Sequence, residues 1–333
     1  MSKFFGMKIV SRFLRPIAHW SFAVGHLIFL AASAHAQSGN WPFASPSPGA
    51  TPRPFFSNTP ASDEPAREVP LVEKKWDQLS DQRADALAQK ALAIKPNDWK
   101  HAETDNFILH YRRVTEARKV AREVEYDLWF VAKTLGANKE QYKRKSHVFV
   151  FEDEAEWKDF LAQTTFPQWF GSFAHGDELF LNVRRMEGGR GFDSHTLAHE
   201  TTHAVVARLY PRDNWPLWLN EGFAEYMGNA SVAARKNQTV KGRERLLNFA
   251  SLPLERLTGM TQYPQETVQV AQLYETSEKL VRFLMTEGGQ ERFPRFIDAM
   301  IAGKSLQDAV LELYGDRFKS WDDFMKKYER FSK

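Results

Sequence analysis

The feature that most constrains the fold of this chain is a pair of short polar segments, each of which fits only a helix. The first, His195–Pro211, carries His199, Glu200 and His203. Asp193 or Ser194 is placed to cap its start, and Pro211 stops it near Tyr210. On a helix, residues four apart share a face, so the two imidazoles lie side by side. The second, Asn214–Gly228, has Pro216 where a first turn tolerates it and Gly228 where a C-cap is expected. Glu221 and Glu225 are also four apart and share a face. Only a few residues join the two helices, so an antiparallel pair with facing polar stripes is predicted. Two neutral imidazoles at this spacing suit Zn²⁺, which takes nitrogen and oxygen donors in tetrahedral geometry. We therefore expect His199 and His203 as ligands, Glu221 as the third, and Glu225 as acceptor for a ligand histidine's other N–H. Glu200 is too short to join the same ion comfortably. It can instead take the proton of a water in the open coordination position.

The N-terminus predicts export. Lys3, Lys8, Arg12 and Arg15 precede the apolar stretch Trp20–Ala34, and Ala34 and Ala36 supply the small residues of a cleavage site. The run is shorter than the roughly 20 residues that span a bilayer and contains His26, so residues 1–36 read as a signal peptide cleaved after Ala36. An uncleaved membrane anchor is the alternative. With a cleaved leader the expected location is secreted or periplasmic in a bacterium, with no stable membrane insertion. Residues 1–36 hold four of the 45 Lys and Arg residues and none of the 42 Asp and Glu residues; the remaining 41 and 42 leave a net charge of −1. A mature chain of that charge gives no reason to expect nucleic acid as a partner. The absence of cysteine excludes disulfides, a thiolate metal site and a cysteine nucleophile.

Residues 37–70 are rich in Pro, Ser and Ala and read as an extended linker, with a propeptide as the competing reading. Apolar spacing predicts a helix from about Leu71 to Ile94, a strand over Asn106–Arg113, a helix over Thr115–Leu135 and a strand over Ser146–Asp153. A short helix through Trp157 and Phe160 and a third strand over Asp177–Arg185 follow; beyond Gly191 the pattern is almost entirely helical. The fold class expected is α+β: a small α/β half with a short sheet (71–190), then a helical half (191–333). The stretch Leu179–Val183 is a candidate edge for docking an extended peptide, with an interior strand as the alternative.

The pairing of His-Glu-Thr-Thr-His at 199–203 with Trp-Leu-Asn-Glu-Gly-Phe-Ala-Glu-Tyr at 218–226 resembles the gluzincin zinc metallopeptidases, the clan of thermolysin and its related aminopeptidases. The resemblance implies a zincin-like fold with the active-site helix between its two halves. It implies His199, His203 and Glu221 as zinc ligands, Glu200 as general base and acid, and Glu225 as the histidine-orienting acid. The 17 residues between His203 and Glu221 are one fewer than the aminopeptidases usually have, a difference in loop length. Leu273–Gly315, with Tyr274, Ser277 and the Gly303–Ala309 segment, is similar to the helical tail of bacterial peptidase-MA-like domains. Those enzymes draw an oxyanion donor, Tyr or His, from the helical half, which implies Tyr274; His175 is a weaker candidate. No amine-binding Gly-Ala-Met-Glu-Asn motif is present, so exopeptidase action is not implied. The expected activity is zinc-dependent hydrolysis of peptide or protein substrates with one Zn²⁺ per chain. The alternative is a zinc-stabilised envelope binding domain without catalysis.

Overall fold

The structure is a computed structural model that describes residues 68–331 except 167, 169, 189–190, 211–214, 239 and 241–249. The expected leader and most of the linker, with Pro211, lie outside the described residues. In chain order the elements are β1 (Val72–Lys74), α1 (Ala86–Leu92), β2 (Lys100–Glu103), β3 (Phe107–Tyr111), α2 (Val114–Leu135) and β4 (Ser146–Phe151). There follow α3 (Glu154–Ala162), β5 (Ser172–His175), β6 (Glu178–Asn182), α4 (Ser194–Leu209) and α5 (Leu217–Arg235). The last four long helices are α6 (Thr267–Phe283), α7 (Phe293–Ile301), α8 (Leu306–Tyr314) and α9 (Trp321–Arg330). The architecture is α+β, a mixed six-stranded sheet followed by helices.

The sheet has the order β1-β2-β3-β4-β6-β5, with β3, β4 and β6 parallel and the outer pairings antiparallel. Parallel strands need cover on both faces, and here alternation sorts the side chains into two different cores. Leu109, Val148, Val150, Leu179 and Leu181 face the helical half, packing in one cluster with α2, α4 and α5. Phe149, Phe151 and Phe180 point the other way and join Trp157, Phe160 and Leu87 of α3 and α1. The sheet therefore holds α4 on one face while its other face is sealed by aromatics.

Two expectations about this half are corrected. No helix runs from Leu71 to Ile94. Val72–Lys74 pairs with β2 as an edge strand, and the helix begins only at Ala86, where Asp85 accepts hydrogen bonds from the Leu87 and Ala88 amides. Strand pairing took the first residues and the cap fixed the late start. Likewise Leu179–Val183 is no docking edge. β6 lies between β4 and β5, and β5 is the strand at the margin.

α4 is anchored at both ends. Asp193 accepts from the Thr196 amide at 3.1 Å. At the other end the buried Arg208 guanidinium donates to the carbonyls of Asn106 and Tyr142, where β3 and β4 begin. α5 then packs along α4, and α6 packs along α5. Gly228 does not cap α5, which runs on to Arg235. A Cβ there would lie 3.0 Å from the His195 imidazole, so its missing side chain makes room for that ring. Gly222 allows a closer approach still: a Cβ would stand 2.6 Å from the Ser277 carbonyl oxygen of α6. Further along α5, Ser231 and Arg235 pack beside the buried Asp127 of α2. Burial outweighs the Arg235 charge and pushes its carboxyl up to about 7.

The Gly222 contact makes a direct test of the α5–α6 spacing. Gly222→Ala should force the two helices apart and lower the unfolding free energy by about 1–3 kcal/mol. Urea denaturation measures this, and an unshifted midpoint would mean that the helices are not so close.

Candidate metal centre

α4 and α5 bring four of the sequence-predicted residues to one point. His199 Nε2 lies 3.1 Å from His203 Nε2, His199 Nε2 lies 3.6 Å from Glu221 Oε2, and His203 Nε2 lies 3.5 Å from the same oxygen. Three donors bound at about 2.0–2.1 Å on the vertices of a tetrahedron would lie roughly 3.3–3.4 Å apart. The observed triangle meets that condition. Among the described residues it is also the one group of three such side chains whose donor atoms converge. His199 and Glu221 are 1% and 2% exposed, so the donors face one another rather than water. Glu221 Oε2 is buried and accepts no hydrogen bond from the described residues, which is costly unless a cation or proton sits against it. The donor set, two imidazoles and a carboxylate, is one zinc accepts with a fourth direction left open.

Each of the three candidate ligands is gripped from behind. Glu225 Oε2 is 3.2 Å from His199 Nδ1, and its other oxygen is 3.4 Å from His195 Nε2. Asn220 Oδ1 is 3.3 Å from His203 Nδ1. These acceptors fix which nitrogen carries the proton, leaving each Nε2 lone pair for a metal. Glu221 Oε1 accepts from the Tyr263 hydroxyl. Glu200 points elsewhere: its Oε2 accepts from the Ala174 amide of β5 at 3.0 Å. The Glu200 carboxyl is thus moored to the sheet margin while its helix carries the histidines. Burial raises the Glu200 carboxyl above its usual range, with His199 and His203 pulling the other way.

Tyr274, on α6, is buried with its ring centroid 6.1 Å from that of His199 and 6.5 Å from that of Tyr263. Burial and the Glu221 carboxylate raise both phenols well above their ordinary value, so each remains a hydroxyl donor at neutral pH. His175 lies on β5 with its imidazole 3.5 Å from Asp85. Arg184 and Arg185 bond to the Glu152 carbonyl and to Glu154, tying the start of a short helix to α3. Trp218 and Phe223 are core residues.

Three residues of the site were missed in the sequence. His195 carried a legible signal, since it stands one turn before His199 on the same helix. Asn220 adjoins Glu221, but nothing in the spacing marked it as a partner of His203. Tyr263 had no signal at all, because it comes from an irregular stretch 42 residues beyond Glu221. No family model matches the chain, and no curated protein matches it in sequence.

The electrostatics give a test of metal uptake. Burial alone would lower His199, but Glu221, Glu225 and Glu200 outweigh it and raise the imidazole from 6.5 to about 10. A histidine raised on folding stabilises the metal-free fold fully below its unfolded value, and that contribution is lost as pH rises through about 10. At neutral pH a metal must therefore displace the His199 proton. Calorimetric titration of the metal-free protein with zinc, in buffers of different ionisation enthalpy, should register about one proton released per ion. No buffer dependence would show that His199 is already neutral.

Proposed function

We propose that this protein is a zinc-dependent peptide hydrolase. The observation that carries the reading is the triangle of His199, His203 and Glu221 donors with the Glu200 carboxyl one residue from the first of them. A zinc ion held there would polarise a peptide carbonyl and acidify a neighbouring water.

The chain's own residues supply the rest. Glu200, buried and with a raised proton affinity, accepts the proton of the attacking water and hands it to the leaving amine. Its mooring to Ala174 holds the carboxyl still between the two transfers. Glu225 and Asn220 keep the histidine rings oriented, so no reorganisation is needed at the moment of reaction. Tyr274 donates to the developing oxyanion from α6, on the helical side of the site. β5 is the strand at the sheet margin beside Glu200, which supports an extended polypeptide as the substrate, paired along that margin. Among the described residues no helix is long and apolar enough to cross a membrane. An exported enzyme acting on peptides or proteins outside the cytoplasm is the reading we favour.

The decisive experiment combines metal content with turnover. The protein should bind one zinc by native mass spectrometry, and Glu221→Ala should lose or greatly weaken it. Glu200→Gln should keep the zinc yet cut hydrolysis of a peptide library by about 10²–10⁴-fold. Zinc binding with no hydrolysis in the parent would instead support a non-catalytic zinc-stabilised domain. Tyr274→Phe separates binding from catalysis: zinc retained, kcat lower by about 10²–10³-fold. An unchanged kcat would leave Tyr274 as a packed core residue.

A further inference from the structure

The two ligand histidines are both held from α5, by Glu225 and Asn220. Glu221 is held differently. Its two oxygens are divided: Oε2 faces both histidines at 3.5–3.6 Å, while Oε1 accepts from Tyr263. Tyr263 comes from neither motif helix but from the connection between the short helix Leu254–Thr258 and α6. On either side of it Thr261, Gln262, Gln265 and Glu266 are exposed. Tyr263, half-buried like Pro264 after it, packs against the core and beside the Tyr274 ring. Pro264 biases the residue before it toward extended backbone, and the Met260 amide bonds the Leu257 carbonyl at 3.2 Å, so the connection is fixed close to the tyrosine.

We propose that Tyr263 is a positioning residue that restricts Glu221 to one-oxygen ligation and so keeps the fourth direction of the metal centre open. A carboxylate free to rotate can offer both oxygens to a cation. That would raise the coordination number and fill the direction a water and a substrate carbonyl must use. An oxygen accepting from the Tyr263 hydroxyl has one of its two lone pairs committed, and turning the carboxylate to offer both oxygens would break that bond. The inference rests on the metallopeptidase reading above and adds a residue and a function to it.

The test is Tyr263→Phe, which keeps the ring and removes only the hydroxyl. Zinc affinity is read by competition with a chromophoric chelator. Tyr263→Phe should weaken zinc binding by roughly 10–100-fold, the range seen when such a partner of a ligand is lost. Hydrolysis should stay below the parent's in the Tyr263 variant even at saturating zinc, because the freed carboxylate oxygen occupies the direction that water and substrate need. X-ray absorption at the zinc edge should give four-coordinate zinc in the parent and added oxygen density in Tyr263→Phe. Parental zinc affinity in the variant would overturn the proposal, and so would a spectrum with unchanged four-coordinate zinc; a low kcat beside that unchanged spectrum would make Tyr263 an oxyanion donor. If the variant does not fold, the parent still decides: a two-oxygen carboxylate in its spectrum overturns the inference. Failure of the parent itself to bind zinc would bring down the metallopeptidase reading, a result distinct from all of these.

Discussion

Everything at the centre of this molecule follows from burying three carboxylates and two imidazoles between two helices. Glu200, Glu221 and Glu225 are each no more than 5% exposed, and His199 is more buried still. Isolated charges in such a place cost several kcal/mol each, so they persist only if they compensate one another or a bound cation. The arrangement does the first and is suited to the second. Each imidazole has an acceptor behind it, and the Nε2 atoms converge with Glu221 Oε2 on one point. The excess of negative charge is what raises His199, and it is also what a divalent cation would offset.

The rest of the fold holds that polar seam in place. Arg208 pins the far end of α4 to the strands, and Gly222 and Gly228 let α6 and His195 close against α5. The sheet contributes in two ways. Its apolar face receives α4, and its marginal strand supplies the amide that moors Glu200. One carboxylate is thus governed by the sheet and two by helices, although all three lie within 26 residues of sequence. This separates a group suited to proton transfer from groups suited to holding a cation.

Much of this was legible because helical spacing is local. The i, i+4 pairs His199/His203 and Glu221/Glu225 need only the geometry of one helix to share a face. The Asp193 cap was legible for the same reason. The false helix over Leu71–Ile94 shows the limit. Val72–Lys74 joined an edge strand because β2 was there to pair with, and its partners stand 27–31 residues away in register. Gly228 misled in a similar way, since a glycine that ends a helix and one that admits a neighbouring ring look alike in a sequence.

The sequence by itself determined the donor types, their spacing along two helices and the α+β order of the chain. These depend on backbone periodicity and on residue chemistry, which are properties of short segments. Only the tertiary structure decided that the two helices meet with donor atoms 3.1–3.6 Å apart, that β5 rather than β6 forms the sheet margin, and that Tyr263 reaches Glu221. Those outcomes depend on which distant surfaces pack together. They are fixed by burial of the two apolar faces of one sheet and by the close approach of three helices, and no short stretch of the chain encodes them alone.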